Sequence, residues 1–269
     1  MKESNELSVF YRVLLSVARV QPFNRGPIRR RLIRFIKKHI THPIETTFQG
    51  VPFVFNLDNS TEQKALLGFY NNDEINYVVD VAKANAPVFI DVGANSGFYS
   101  QMFLFHASAG ARVLSIEPNP EMCKRITQNE SLIADRTREK NQTLLVENCA
   151  VGDVEGTMYL DLESGLGGAH IVDMPSQRSI EVKIKKLLNI LQAHDIDRID
   201  LLKIDVEGYE DRVLIPFFKQ ADSVLFPGHI VIEHTSDRDW KGDLWGKLKE
   251  VGYQEVFRTR SNMVLRLAV

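Results

Sequence analysis

Val88-Phe89-Ile90-Asp91-Val92-Gly93-Ala94-Asn95-Ser96-Gly97-Phe98-Tyr99, followed further on by Leu114-Ser115-Ile116-Glu117-Pro118-Asn119, decides how this chain folds. An apolar run ending in an acidic residue and a glycine turn, then a second apolar run ending in a carboxylate, is how a parallel sheet builds an adenosine pocket. Val88 to Val92 is short, β-branched and aromatic, as suits a strand covered on both faces. Gly93 and Gly97 bracket a turn whose backbone passes close to a ligand, where a Cβ would clash. From Phe98 the apolar residues Phe98, Tyr99, Met102, Phe103 and Phe105 fall at helical spacings. A helix starting there aims its free N–H groups and positive end at the ligand. Glu117, closing the second strand, is placed to accept hydrogen bonds from both ribose hydroxyls. Together these residues imply an enzyme that binds a nucleoside cofactor.

The glycine spacing narrows the choice. A dinucleotide site uses G-x-G-x-x-G so that backbone amides hold a pyrophosphate. Here Gly93 and Gly97 stand alone and Asn95 occupies the place of the middle glycine. Asp91 at the strand end is unfavourable beside a diphosphate and favourable beside an ammonium group. S-adenosylmethionine carries such an ammonium and has no phosphate. A nicotinamide-dependent oxidoreductase is the alternative from another enzyme class, and a nucleoside-binding partner subunit without catalysis is the non-enzymatic one.

Four ordered segments carry a resemblance. Asp91-Val92-Gly93-Ala94-Asn95-Ser96-Gly97, Ile116-Glu117-Pro118-Asn119-Pro120, Asn148-Cys149-Ala150-Val151-Gly152-Asp153 and Leu202-Lys203-Ile204-Asp205-Val206-Glu207-Gly208-Tyr209-Glu210 resemble, in that order, the motifs of FkbM-type methyltransferases. The resemblance covers residues 87–235. It implies a class I S-adenosylmethionine-dependent enzyme that methylates a hydroxyl oxygen of a sugar, a glycan or a small metabolite. The cofactor would be held by Asp91, Gly93, Ala94, Asn95, Gly97, Phe98, Glu117, Pro118, Asn119 and Asp205, with Ala150 and Val151 bordering the adenine.

Outside those segments the pattern predicts a Rossmann-like α/β fold. Its sheet has seven strands, mostly parallel with one antiparallel, flanked by helices. A helix runs from Asn119 or Pro120 to Asn129 and a third strand from Leu144 to Val151. Thr157 to Leu162 and Ser179 to Lys185 form an added β pair around the glycine-rich segment 163–170, read as a mobile loop on the substrate side. A fourth strand runs from Ile199 to Asp205, a helix from Tyr209 to Phe218 and a fifth strand from His229 to His234. A helix from Asp243 to Val251 and strands at 253–257 and 263–267 finish the sheet.

Ligands gather at the carboxyl ends of such strands, which makes Asp205, Glu207 and His234 the candidate catalytic residues. Methyl transfer to an alcohol needs the acceptor oxygen in line with the methyl carbon and its proton removed as the bond forms. Asp205 and Glu207 are two apart, so an extended chain points both to one side. Lys203 lies on the same alternation and suits a salt bridge. His234 offers an imidazole that could act as a general base. No metal site is assigned, and a divalent metal would need Asp205, Glu233 and His234 to converge.

Composition is that of an ordinary globular chain: 269 residues, 44% hydrophobic and 25% charged,. A formal net charge of -2 gives no reason to expect nucleic-acid binding,. Cys123 and Cys149 lack metal spacing and are too few for a disulfide scaffold, which fits a reducing cytoplasm. The first residues are the exception. Arg12, Arg19, Arg25, Arg29, Arg30, Arg31, Arg34, Lys37 and Lys38 crowd there against Glu3 and Glu6, interleaved with apolar residues as in two short amphipathic helices split near Pro22 to Pro27. Arg12 and Arg19 interrupt any signal-peptide or membrane-spanning run. The expected organisation is a basic helical appendage over residues 1–44 and a methyltransferase domain over residues 45–269. The appendage is either a solvated cap or an attachment to an anionic membrane surface, or to a glycan- or lipid-assembling partner there. A hairpin turned at Gln49-Gly50 and helices over 62–70 and 73–84 lead into the core.

Overall fold

The computed structural model describes the chain except residues 1–12, 15, 18, 19, 21–25, 41, 69, 163–169, 173, 175 and 269. The chain divides into two compact units, one running to Asn72 and one beginning at Asp73. The first predicted N-terminal helix and the glycine-rich 163–169 segment fall largely or wholly outside the described residues.

In the first unit, α1 (Gly26–His39) keeps the basic face read from sequence and buries Ile36. It is followed by β1 (Ile44–Phe48), β2 (Val51–Phe55) and α2 (Ser60–Leu66). The two strands pair antiparallel from Ile44 opposite Phe55 to Phe48 opposite Val51. Gln49 and Gly50 both take positive φ at the turn, the pattern of a tight hairpin turn,. Asn59 caps α2 by accepting the N–H groups of Thr61 and Glu62,.

The second unit opens with α3 (Asn72–Val81), and its core is built from β3 (Val88–Val92), α4 (Phe98–His106), β4 (Arg112–Ile116), α5 (Pro120–Ser131), α6 (Ala134–Glu139) and β5 (Thr143–Glu147). Next come β6 (Ala150–Val151), β7 (Gly156–Asp161), β8 (His170–Val172), β9 (Ser179–Lys185) and α7 (Leu187–Ala193). The remainder is β10 (Leu201–Ile204), α8 (Glu210–Gln220), β11 (His229–Glu233), α9 (Leu244–Val251), β12 (Tyr253–Arg258) and β13 (Asn262–Leu267). Every residue of β3 and β10 is buried, as expected for strands covered on both faces.

The main sheet has the order β12-β13-β11-β10-β3-β4-β5. Pairing is parallel from β11 through β5, and β13 runs antiparallel to both β11 and β12. This is the predicted seven-stranded, mostly parallel sheet with one antiparallel strand. The chain winds outward from β3 to β5 and then returns to place β10 on the other side of β3. That reversal opens a crevice at the carboxyl ends of β3 and β10.

One predicted strand is corrected. Leu144 to Val151 is not continuous. The main-sheet strand stops at Glu147, where the Cys149 N–H turns back to the Glu147 carbonyl. The Asn148 amide donates to the carbonyls of Glu117 and Pro118. Ala150 and Val151 then join a second sheet of order β6-β9-β7-β8, pairing parallel with Ile184 and Lys185. An alternating apolar run cannot show such a change of sheet, because Ala150 and Val151 are equally buried in either.

The crevice depends on close backbone approach at Gly93. Its φ is +73, and a Cβ there would sit 1.9 Å from the Asp205 carbonyl oxygen. Gly93→Ala should therefore cost about 3 kcal/mol or more through strain and displacement of β10. Thermal unfolding should show a fall of roughly 6–12 °C in midpoint; an unchanged midpoint would show that β3 and β10 are free to part here.

Candidate active site

The loop after β3 uses all its own amides. Gly93 and Ala94 donate to the Ile116 carbonyl at 2.9 and 3.2 Å, and Gly97 donates to Ala94 at 2.9 Å. The Asn95 N–H donates to Glu117 Oε2 at 2.8 Å, and the Ser96 N–H to the Asn95 side-chain oxygen at 2.8 Å. Asn95, standing where a middle glycine would fall, adopts φ 51, a left-handed conformation that Asn tolerates,. The loop is tied from behind by Asn129, whose Nδ2 donates to the Ser96 carbonyl while its own carbonyl receives Gln101 Nε2. With every N–H from Gly93 to Gly97 bonded inside the protein, none is left to cradle a pyrophosphate.

Glu117 follows β4 and is 7% exposed. Its Oε2 accepts from Asn95 and its Oε1 from the Asn119 N–H at 2.9 Å. Each carboxylate oxygen keeps a second lone pair. Burial pushes the Glu117 carboxyl up to about 7, against the pull of those two amides. A buried carboxylate with one free acceptor site on each oxygen fits a pair of ribose hydroxyls. The Asn119 side-chain oxygen caps α5 through the Glu121 N–H, and its Nδ2 is buried with no protein partner, so it is a donor available to a base or ribose. Pro118 is half-buried, while Ala94, Phe98, Ala150 and Val151 are buried. Glu117 and Asn119 thus offer acceptors and a donor that suit a nucleoside.

The other side of the crevice corrects three expectations. Asp91 was expected to face the ammonium of the ligand, but it is 0% exposed. Its Oδ2 accepts from the Ser100 hydroxyl at 2.7 Å, and Ser100 is bonded in turn to Ser115. The ammonium beside it belongs to Lys203, whose Nζ lies 3.8 Å from Asp91 Oδ1, donates to the Gly93 carbonyl at 2.8 Å and lies 3.7 Å from Asp205 Oδ2. Burial raises the Asp91 carboxyl above its usual range, opposed by Lys203 and Ser100.

Asp205 and Glu207 do not share an extended strand: β10 ends at Ile204 and Glu207 has φ 53. The turn is held by buried Glu210, whose Oε1 accepts the Val206 N–H at 2.9 Å and whose Oε2 accepts the Trp240 indole N–H at 2.8 Å. The result leaves the Asp205 side chain 34% exposed beside Lys203 and Glu207 exposed on the turn.

His234 does not convert β11 into a catalytic histidine strand. Its Nε2 bonds the Thr259 carbonyl at 3.2 Å, in the hairpin between β12 and β13. The residue before it, Glu233, follows Ile232, which pairs with Ile204, so Glu233 and Asp205 stand side by side at the ends of β11 and β10. Glu233 is 8% exposed, its Oε1 accepts the Thr235 N–H at 2.9 Å, and its Oε2 is buried with no protein partner. Burial, then the negative charge of Asp205, push its carboxyl up to about 7. Among the described residues no group of three or more His, Cys, Asp or Glu is placed to hold a metal ion.

A doubly wound sheet of this order, with a glycine loop closed on itself and a buried carboxylate after the next strand, is the architecture of class I methyltransferases. Residues 91–255 match the methyltransferase FkbM domain, and the chain belongs to that family, whose cofactor is S-adenosylmethionine. No curated protein matches the chain. Among solved structures it is similar to the methyltransferase FkbM of Methylobacillus flagellatus KT, at 16% identity and TM-score 0.49 over 78% of this chain and 55% of that one. It is also similar to the tRNA (uracil-54, C5)-methyltransferase of Pyrococcus abyssi in complex with S-adenosylhomocysteine, at 11% identity and TM-score 0.44 over 84% and 44%. A third is the O-methyltransferase TomG of Streptomyces achromogenes in complex with S-adenosylmethionine, at 12% identity and TM-score 0.43 over 74% and 79%. The chain spans about half the length of the first two.

Sequence reasoning gave no role to Ser100, Ser115 and Asn129, whose partners lie far along the chain, read Glu210 only as favouring the N-terminus of its helix, and weighed Glu233 only as a metal ligand. The Glu233 signal was visible as an acidic residue at the carboxyl end of a buried strand.

The Glu117 geometry has a pH consequence. Ribose hydroxyls donate most strongly, and to both oxygens at once, when the carboxylate is ionised, and burial pushes this carboxyl up to about 7. Binding therefore strengthens as pH rises, and S-adenosylhomocysteine should bind about tenfold more tightly at pH 8 than at pH 6. Calorimetric titration of Glu117→Gln should show weaker and pH-flat binding; a variant that keeps the pH dependence would move the effect elsewhere.

Proposed function

We propose that this chain transfers the methyl group of S-adenosylmethionine to a hydroxyl oxygen of a sugar, a glycan or a small metabolite. The observation that carries the reading is the one-third exposed Asp205 carboxylate at the crevice between β3 and β10, beside the Gly93 loop. When bound, the cofactor supplies an electrophilic methyl carbon on a sulfonium. The chain supplies the rest. Glu117 and Asn119 fix the nucleoside, Lys203 holds Asp205 at the mouth of the crevice, and Asp205 meets the acceptor hydroxyl and draws its proton. An acidic acceptor edge suits neutral polyols and disfavours phosphorylated or nucleic-acid acceptors.

The α1 helix supports a peripheral station. Its Arg30, Arg31, Arg34, Lys37 and Lys38 are exposed beside exposed Ile28 and Phe35, a combination that favours the interface of an anionic membrane. No helix among the described residues is long and apolar enough to cross a membrane. Such a station would bring the enzyme to glycans assembled on lipid at the inner surface of the membrane.

Two measurements test these readings. Radiolabelled methyl transfer should be screened over methyl glycosides, oligosaccharides and small alcohols, with and without magnesium. Asp205→Asn should keep cofactor affinity within about threefold and lose transfer by about a hundredfold. Affinity for S-adenosylmethionine with undiminished transfer in the variant would remove Asp205 from the chemistry, and binding of NAD in place of both sulfur nucleosides would overturn the reading. For the station, the chain should float with vesicles containing phosphatidylglycerol and stay behind with purely zwitterionic ones. Arg30→Glu with Arg34→Glu should abolish flotation; equal recovery of variant and parent would dismiss the helix as an anchor.

A further inference from the structure

The acceptor side holds more negative charge than one proton transfer needs. Asp205 follows β10, Glu207 lies in the next turn, Glu210 opens α8, and Glu233 ends β11. All three of the other carboxylates act on Glu233 and hold its proton more tightly. The ammonium that meets this group, Lys203, is divided between Asp91, the Gly93 carbonyl and Asp205. Opposite Glu233 on β13 stands neutral Asn262, whose side chain is tied to Glu74. On its own strand His234 is turned to Thr259. Among the described residues no cation forms an ion pair with Glu233, and its Oε2 is buried without a hydrogen-bond partner.

An oxygen in that position is costly if ionised and unpaired, and it is satisfied if protonated or if a positive charge enters the crevice. Of the two sulfur nucleosides the family handles, only the methyl donor carries the extra positive charge. Resting on the function proposed above, we propose that Glu233 is a proton store coupled to the charge of the methyl donor. It holds a proton in the free chain and releases it when the sulfonium enters. It then takes up the proton of the acceptor, passed through Asp205, once the sulfur becomes neutral. The balance closes. The acceptor oxygen uses a lone pair to form its bond to the methyl carbon, the carbon–sulfur bond breaks with both electrons left on sulfur, and the hydroxyl proton ends on the Glu233 carboxylate. Asp205 is the group that touches the acceptor; Glu233 acts through it.

Proton release on binding reads this directly and needs no acceptor. The full chain is titrated calorimetrically at pH 7 with S-adenosylmethionine and with S-adenosylhomocysteine, in buffers of different ionisation enthalpy. Glu117 contributes equally to both, since both carry the ribose, so the difference between the two nucleosides isolates the sulfonium. The expected difference is about half a proton more released by S-adenosylmethionine. It should vanish in Glu233→Gln and persist in Glu117→Gln. Asp205→Asn, which leaves the buried Glu233 in place, should move the midpoint of the difference to lower pH, because the charge that raises the Glu233 carboxyl has gone. Equal release by the two nucleosides, or a difference that survives Glu233→Gln, would overturn the proposal. Failure of both nucleosides to bind is a separate result that would refute the methyltransferase reading itself.

Discussion

One ammonium group organises the crevice. Lys203, on a strand buried at every position, sets its Nζ among a fully buried aspartate, a backbone carbonyl of the glycine loop and an aspartate that is one-third exposed. A lone buried charge is untenable, and breaking such a pair by removing one partner costs several kcal/mol because the other charge is left uncompensated. Here the compensation runs across strands. Asp91 belongs to β3 and Lys203 to β10, so the pair fastens the two strands on either side of the point where the winding reverses. Ser100 and Ser115 complete the shell from α4 and β4. The same lysine donates to the Gly93 carbonyl, which fixes the loop, and lies 3.7 Å from Asp205, which holds that carboxylate at the crevice. Both walls of the crevice are thereby held by one group.

The glycine loop follows from the same economy of partners. A dinucleotide loop leaves amides free for phosphate, whereas this loop spends them on Ile116, Glu117, Ala94 and the Asn95 side chain. Glu117 is consequently both a ribose-facing acceptor and a brace for the loop and for the Asn119 amide. A carboxylate with two structural bonds cannot swing away, so its free lone pairs are presented in fixed directions. That preorganisation lowers the cost of ordering a ligand, and it explains why an acidic residue suits this place better than an amide, which has only one oxygen.

The sheet was legible because its signals are local. Buried strands such as Val88–Val92 show as short apolar runs, the hairpin shows its turn at Gln49-Gly50, and the order of motifs fixes which strand ends carry function. What failed was non-local. The break after Glu147 is made by Asn148 reaching back to Glu117 and Pro118, contacts some thirty positions away in sequence. The partner of Asp91 is set by the neighbouring strand β10, and the two-residue spacing of Asp205 and Glu207 says nothing once Glu207 enters a left-handed turn. His234 is an instance of a plausible residue type whose ring is used to satisfy a backbone carbonyl. Residue chemistry picked out carboxylates at strand ends; tertiary hydrogen bonds decided which of them look outward.

The division of the carboxylates by exposure carries the mechanistic content. Asp91 and Glu210 are sealed and structural, one paired to an ammonium and the other bonded to Val206 and Trp240. Asp205 is the one that an acceptor can reach while still held by Lys203. Glu233 stands at the neighbouring strand end, just past the Ile204–Ile232 pair; its Oε2, like Asp91 Oδ1, is buried without a hydrogen-bond donor among the described residues, but Asp91 Oδ1 has the Lys203 ammonium 3.8 Å away. Leaving a buried acceptor unpaired costs about 1–3 kcal/mol, and at Asp91 the Lys203 ammonium offsets that cost. Retaining that cost beside the exposed acid is intelligible if the oxygen alternates between a protonated and an ionised form during turnover, because a fixed donor would hold it permanently in one of the two.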